Sequence, residues 1–260
     1  MELVGMAGRK ICLIGEGMVE LRNEADGTCR IGYGGDTLNT AIHMARHGCD
    51  LAYATALGED TFSTQLHAAW SAEGLDCSAI LTDPERGAGL YAITLDTAGE
   101  RSFTYWRSDS AARQLFAMPG SSALAQAIRE TGALAFSLIS LAILPEKGRE
   151  ALVALARSVR EADGLVAFDG NYRPRLWEDA ATAARWRDRA IAASGCPHGA
   201  SRSRTRYRRL GLCSRSRRNR RPSDRRRGIA ARPSARLPRF RRCRLRRRPP
   251  GCCGCPRTGL

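Results

Sequence analysis

The sequence changes character after Gly195, and this change limits what the chain can fold into. Residues 196–260 contain 23 arginines, no lysine, no glutamate and a single acidic residue, Asp224, which gives them a net charge of +22. Residues 1–195 carry a net charge of −6 and alternate apolar runs with amphipathic stretches. Because a highly charged segment with few apolar residues buries too little surface to fold, we predict a folded unit over 1–195 and a disordered arginine-rich tail over 196–260.

Cysteine usage and the N-terminus bear on the cellular compartment. The folded unit has four scattered cysteines, Cys12, Cys29, Cys49 and Cys77. This pattern is typical of free thiols rather than of a disulfide framework. The opening residues MELVGMAGRKICLIGEG have an early acidic residue and an apolar run too short for a signal peptide or a membrane span. We therefore predict a cytoplasmic protein with no membrane partner.

Strand and helix patterns alternate along the folded unit. KICLIG, DLAYATALG, ALAFSLIS and GLVAFD are typical of buried strands, whereas DTLNTAIHMARHG and PEKGREALVALARSVREAD have the spacing of amphipathic helices. Such alternation predicts a mostly parallel sheet with helices on both faces. Two hairpins, within about 17–34 and 88–107, do not fit that sheet. We expect them to form a separate small β layer, with turns at Ala25-Asp26-Gly27 and Ala98-Gly99.

The stretch GEGMVE follows the first predicted strand and partly matches a dinucleotide-binding loop. It lacks the third glycine of that fingerprint, and a strand-like pattern follows it instead of a helix. We therefore interpret it as a turn between two strands and disfavour nicotinamide binding.

The stretch GYGGDTLNTA is a candidate ligand site at the start of a helix. Gly34 and Gly35 allow a ligand to come close to the backbone there, and Asp36 can accept two sugar hydroxyls. Asn39 lies one turn further along the same helix. The alternative is that Asp36 only caps the helix after a glycine turn, and the residues themselves leave both interpretations open.

The stretch YWRSDSAAR is a second candidate. Tyr105 and Arg107 lie on the same side of a strand, beside Tyr91 on the paired strand. An arginine flanked by aromatic rings suits a carboxylate or a phosphate, because the guanidinium binds such groups in a bidentate manner. The alternative is a solvated edge strand.

The stretch FDGNYRPRLW is a third candidate, at the end of a predicted buried strand. Asp169, Asn171 and Arg173 follow the strand directly. Open α/β sheets bind their ligands at the carboxyl ends of strands. Three polar clusters on loops beyond strands together favour a small-molecule site.

These stretches, in this order over about the first 190 residues, resemble the ribokinase-like (PfkB) carbohydrate kinases. The YWR and NYRPRLW segments resemble the 2-keto-3-deoxygluconate kinases of that family most. The resemblance implies that the sugar hydroxyls are held by Gly34, Gly35, Asp36 and Asn39. It also implies that Tyr91, Tyr105 and Arg107 close over the sugar from a small β lid. Arg173 would meet the carboxylate or the incoming phosphate, and Asn171 would lie toward the nucleotide.

The family resemblance also implies ATP and Mg²⁺ as cofactors, and a homodimer formed through the lid. Two departures from the family pattern are small: Gly170 stands where proline is usual, and Ser63 where glycine is usual. A third is large. The family has a late DTTGAGD-type motif that supplies the catalytic base and the anion site, and no Gly-Asp pair follows Gly195. We therefore predict no catalytic residue and no metal ligand in this chain.

Three interpretations of the tail compete. Its arginines attract nucleic acid non-specifically, but Tyr207 and Phe240 are its only aromatic residues. The cysteines near its end, with His198, match no zinc spacing: Cys243, Cys252, Cys253 and Cys255. The third interpretation is translation in the wrong frame. We favour it, because a shifted frame of a GC-rich gene yields Arg, Pro, Ser, Gly, Ala and Cys while losing Lys and Glu.

The prediction is thus a ribokinase-like α/β fold whose C-terminal portion is missing. The expected function is ATP-dependent phosphorylation of 2-keto-3-deoxygluconate or a related sugar acid, with little or no activity in the chain as written. Two alternatives stay open: a catalytically inactive protein that binds a sugar acid, and a nucleic-acid-binding protein with a basic tail.

Overall fold

Two sheets contain the strands of the described residues, which are 10–24, 27–95 and 100–195 of a computed structural model. The strands, in chain order, are β1 (Ile11–Ile14), β2 (Met18–Asn23), β3 (Cys29–Gly34), β4 (Leu51–Gly58), β5 (Ile80–Asp83), β6 (Gly89–Leu95), β7 (Arg101–Trp106), β8 (Ala133–Ser137) and β9 (Leu165–Asp169). The helices are α1 (Asp36–Arg46), α2 (Thr61–Ala72), α3 (Ser121–Arg129), α4 (Leu138–Ile143), α5 (Glu146–Glu161) and α6 (Ala180–Ala193). Short 3₁₀ turns lie at Ala111–Gln114 and Pro174–Leu176.

The larger sheet has the strand order β5-β4-β1-β8-β9, and each neighbouring pair is parallel. The predicted mostly parallel sheet is therefore confirmed. The central strand β1 places Leu13 opposite Tyr53 on one side and Ala135 on the other. Because all five strands run in one direction, the residues that follow β1, β8 and β9 meet at the same edge of the sheet.

Side chains that alternate along the strands face two separate cores. From β1, Cys12 and Ile14 face a core that contains α5 and α6, including the fully buried Trp186. Leu13 faces the opposite core, which is built on α1 and α2 around Trp70. Each buried side chain of this size stabilises the fold by about 1.5–3 kcal/mol. Because alternate side chains point to opposite faces of the parallel sheet, helices cover both of its faces.

The smaller sheet has the order β3-β2-β6-β7 and is separate from the parallel sheet. β2 and β3 form one antiparallel hairpin, β6 and β7 form another, and β2 runs parallel to β6 between them. The predicted small β layer is confirmed, and we call it the small sheet. β7 lies at its edge, and every residue of β7 is exposed.

Two strand predictions need correction. The run ALAFSLIS is not one strand: β8 ends at Ser137, which caps α4 through a reciprocal pair of bonds with Ser140. β9 is not fully buried, and its Leu165 is 51% exposed. The reason is that, among the described residues, β9 pairs only with β8.

The structure accommodates both small departures from the family pattern, at Ser63 and Gly170. Ser63 is buried and bonds Asp60 at the start of α2, and a Cβ at Gly170 would meet open space.

Several predictions lie outside the described residues. These are the turn at Ala98-Gly99, two residues of the turn at Ala25-Asp26-Gly27, and everything predicted for the tail, including its disorder. Within the described part of the chain, no helix is long and apolar enough to cross a membrane. The boundary between the folded unit and the tail stays a prediction.

Candidate active site

Asp36 lies where three structural elements meet at the carboxyl edge of the parallel sheet. It is the first residue of α1, and its Oδ1 accepts a hydrogen bond of 2.8 Å from the backbone N–H of Thr37. Its Oδ2 accepts a 2.5 Å bond from Ser137 Oγ at the end of β8, and Asn171 Nδ2 after β9 lies 3.4 Å away. One oxygen therefore bonds the backbone of the next residue, and the other faces the loops beyond β8 and β9. The cap position of α1 is Gly35 and no side chain caps the helix, so Asp36 is not the capping residue of the alternative interpretation.

Asp169 and Arg173 lie beside this carboxylate. Burial raises the pKa of Asp169, the negative charge of Asp36 raises it further, and Arg173 acts in the opposite direction. Arg173 is exposed, and its Nη1 donates to the backbone oxygen of Tyr172 at 3.3 Å. Two acids and a solvent-facing arginine thus share one edge of the sheet.

The glycine pair before α1 is needed for space. A Cβ at Gly35 would collide with the backbone oxygen of Glu16, and a Cβ at Gly34 would collide with the hydroxyl of Tyr91. The backbone of Gly35, with φ 170°, is extended and open to any residue. Asn39 is exposed on α1, and its side chain makes no hydrogen bond within the described residues. The structure therefore does not join Asn39 to the Asp36 group.

The aromatic pair on the small sheet is formed as the sequence suggests. Tyr91 and Tyr105 lie opposite each other in the β6–β7 register, with ring centroids 5.8 Å apart. Tyr105 is 52% exposed, whereas Tyr91 is buried and its hydroxyl donates to Glu20 Oε2. The solvated-edge alternative therefore describes Tyr105, while Tyr91 is part of the sheet's packing.

Arg107 has a buried partner that the sequence interpretation missed. Its side chain is only 10% exposed and forms an ion pair with Glu16, which follows β1 in the GEGMVE turn. Ser110 Oγ donates to the other carboxylate oxygen of Glu16 at 2.5 Å. The turn itself joins β1 to β2, as predicted. The signal for Glu16 was an acidic residue directly after the central parallel strand, where ligand-binding side chains collect.

Glu16 is held in a low-polarity setting. It is 2% exposed, and burial raises its pKa, against the opposing effects of the Arg107 charge and the Ser110 hydrogen bond. An isolated buried carboxylate is costly, so a nearby cation and hydroxyl are needed to keep it charged. The Glu16 carboxyl group therefore faces the guanidinium of Arg107 at the junction of the two sheets.

The predicted cofactors are ATP and Mg²⁺. No three His, Cys, Asp or Glu side chains within the described ranges are grouped to hold a metal ion. The amide of Asn171 lies 3.4 Å from Asp36 Oδ2, and its placement toward the nucleotide stays a prediction.

Comparisons with known proteins agree with this architecture. A 2-dehydro-3-deoxygluconokinase of Dickeya dadantii is 41% identical over 177 residues, which cover 66% of this chain and 57% of that protein. A fructokinase of Salmonella typhimurium is 30% identical over 183 residues, which cover 70% of this chain and 57% of that protein. The matched part of this chain thus spans just over half the length of these relatives.

A solved structure shows the same fold. The fructokinase of Xylella fastidiosa with bound ATP superimposes with a TM-score of 0.60 at 22% identity, covering 71% of this chain and 56% of that one. The family model for pfkB family carbohydrate kinases matches residues 9–191, which include both sheets and all of the clusters described above. The chain therefore belongs to the pfkB family of carbohydrate kinases.

Proposed function

We propose that residues 10–195 form the sugar-binding part of a kinase for 2-keto-3-deoxygluconate, also called 2-dehydro-3-deoxygluconate. The higher identity to a kinase named for this sugar acid than to a fructokinase supports this substrate class. The observation that carries the proposal is the Asp36 carboxylate, with Ser137 and Asn171 around it, at the ligand-binding edge of the parallel sheet.

Asp36 suits sugar hydroxyls because an ionised carboxylate accepts several hydrogen bonds. Its contact with Asn171, at 3.4 Å, is long for a hydrogen bond to a charged oxygen. A sugar hydroxyl that donates to Oδ2 would replace it at little cost. The 2.5 Å bond from Ser137 would hold the carboxylate in place meanwhile.

The carboxylate of a sugar acid needs a cation, and the structure favours Arg173 for this role. The charge of Arg107 is already balanced by Glu16, whereas Arg173 is exposed and donates to a backbone oxygen. Arg107 and Tyr105 would supply hydrogen-bond donors and an aromatic surface from the small sheet, which acts as a lid in this proposal. Gly34 and Gly35 would allow the sugar to approach the backbone.

We propose ATP as the phosphoryl donor, on the basis of family membership. Transfer to a hydroxyl requires a base and a prepared anion site, which together lower the barrier substantially. No Gly-Asp pair follows Gly195, so the chain as written lacks the family motif that supplies both. The proposal is therefore binding of the sugar acid with turnover at least about a hundredfold below that of a full-length relative.

A homodimer through the small sheet is part of the proposal. Phe103 and Tyr105 are exposed and stacked on one face of β7, Trp106 is exposed on the other face, and exposed apolar surface often marks an interface. A cytoplasmic location and non-specific nucleic-acid binding by the tail stay predictions.

Calorimetry and a kinase assay on the full 260-residue chain test the proposal. We expect heat with millimolar 2-keto-3-deoxygluconate, no heat with fructose, and ADP formation at the background rate. Absence of heat with the sugar acid would reject the binding role. Rapid ADP formation that depends on the sugar acid would reject the loss of turnover.

A further inference from the structure

The described chain crosses between the two sheets four times, after β1, β3, β5 and β7, and each crossing lies beside Glu16. β2 begins two residues after it, and the backbone oxygen of Glu16 packs against Gly35, where β3 gives way to α1. β6 begins at Gly89, and a Cβ there would lie 2.6 Å from Glu16 Oε1. β7 ends just before Arg107, the ion-pair partner of Glu16. The carboxyl group therefore lies at the base of the small sheet.

The contact between Glu16 and Arg107 is buried. Glu16 and Ser110 are almost fully covered, and Arg107 Nε is buried without a hydrogen-bond partner in the described part of the chain. With its charge neutralised by Glu16, the guanidinium tolerates this position. Without Glu16, a buried cation would remain unpaired, and such a group relocates toward solvent or destabilises its surroundings.

We propose that Glu16 is a positioning residue that acts through Arg107. By fixing Arg107, it sets where the chain leaves β7 at the base of the small sheet, and hence where Tyr105 lies relative to Asp36. Glu16 itself does not meet the ligand, because Gly89, Ser110 and Arg107 enclose its carboxylate. The effect on ligand affinity rests on the proposed sugar-acid function, whereas the effect on the small sheet does not.

This role also bears on specificity. Because Arg107 is paired with Glu16, it is less available than an unpaired arginine to the acid group of a ligand. The acid group of the substrate would therefore be directed to the exposed Arg173.

Hydrogen exchange on the full chain without ligand tests the structural part. In Glu16→Gln we expect exchange at least about tenfold faster in residues 89–95 and 101–110, with β4 unchanged. The matched control is Glu24→Gln, which removes an exposed ion pair with Arg30 in the same small sheet; we expect no change near Arg107. Ser110→Ala removes one bond to Glu16 and should produce a smaller increase in the same segments. Unchanged exchange in both the Glu16→Gln and the Ser110→Ala variants would overturn the proposal.

Calorimetry with 2-keto-3-deoxygluconate tests the part that concerns the ligand. We expect Glu16→Gln to weaken binding about tenfold, and to have no further effect in an Arg107→Ala background, because Glu16 acts through that residue. Equal and independent losses in the two backgrounds would overturn the proposal. If the unsubstituted chain gives no heat, the proposed function fails, and the exchange experiment still decides the role of Glu16.

Discussion

Ser137 Oγ donates a 2.5 Å hydrogen bond to Asp36 Oδ2, although the two residues are 101 positions apart in the chain. The bond joins the end of β8 to the first residue of α1 and fixes one carboxylate oxygen at the edge of the parallel sheet. The other oxygen accepts from the backbone of Thr37. Asp36 is therefore held in one orientation before any ligand arrives, which lowers the entropy cost of binding.

The first prediction concerns the charge of Asp36. Asp36→Asn keeps the size of the side chain but replaces an ionised acceptor with a neutral amide. Since hydrogen bonds to charged groups contribute about 1.5–3 kcal/mol, affinity for 2-keto-3-deoxygluconate should fall about tenfold to a hundredfold in calorimetry. Asp50→Asn, an exposed acid just before β4, is the control. Equal affinities for all three proteins would contradict a role for Asp36 in binding.

The Asp36 site also shows what local sequence can and cannot predict. A glycine pair directly before an amphipathic pattern is a local signal, and it located Gly34, Gly35 and Asp36. Ser137 meets Asp36, and Glu16 meets Arg107, only because segments that are far apart in the sequence pack together. No local pattern in the turn around Glu16 reveals Arg107 as its partner. β9 resembled a buried strand because its residues are apolar, but burial depends on a neighbouring strand that the pattern does not supply.

The second prediction concerns space beside Gly35. Gly35→Ala would force a methyl group against the backbone oxygen of Glu16, which cannot move without shifting β1. We expect a loss of about 1–3 kcal/mol in the free energy of unfolding, measured by urea denaturation. Gly170→Ala is the matched control, because a Cβ there meets open space, and it should leave stability within about 0.5 kcal/mol. A similar loss for both variants would show that the contact with Glu16 is unimportant.

The third prediction concerns pH. Glu73 at the end of α2 accepts two 2.6 Å bonds from Arg46, and the pKa of Glu73 is lowered from 4.5 by these bonds, against burial and with help from Tyr33. A lowered pKa means that the folded state favours the charged form. The resulting stability is present above pH 4.5 and is lost as pH falls through the lower, folded-state value.

Thermal unfolding of Glu73→Gln checks this sign. The variant should be less stable than the unsubstituted chain by about 0.5–1 kcal/mol at pH 6, since Arg46 is half exposed. The difference should shrink steadily below pH 4.5. Glu59→Gln, at an exposed position before α2, should be as stable as the unsubstituted chain both at pH 6 and below pH 4.5. A stability difference between Glu73→Gln and the unsubstituted chain that grows as the pH falls would refute the lowered pKa of Glu73.

The fourth prediction concerns the buried Arg149 of α5. Its Nε donates to Leu141 O at 3.1 Å and its Nη2 to Glu178 at 2.9 Å, and the guanidinium lies 4.8 Å from the Trp177 ring centroid. Arg149→Leu would remove one of the two hydrogen bonds to Leu141 O, whose other donor is the backbone N–H of Leu144, and would also remove the ion pair with Glu178. We expect a loss of about 2–3 kcal/mol in urea denaturation followed by tryptophan fluorescence. Arg187→Leu, which removes an exposed pair with Asp188, should cost no more than about 0.5 kcal/mol, and comparable losses would contradict the importance of burial.

The last prediction concerns the arginine-rich tail. Its net charge of +22 should bind single-stranded RNA through release of counterions, and such binding weakens steeply with salt and does not depend on base sequence. Removing residues 196–260 leaves a chain with a net charge of −6, so RNA binding should disappear in a filter-binding assay at 50 mM salt. Affinity for 2-keto-3-deoxygluconate should stay within about twofold, because the Asp36 group is formed by residues before Gly195. Binding that prefers one RNA sequence and persists at 300 mM salt would instead support an evolved nucleic-acid function for the tail, and would contradict its interpretation as a product of a shifted frame.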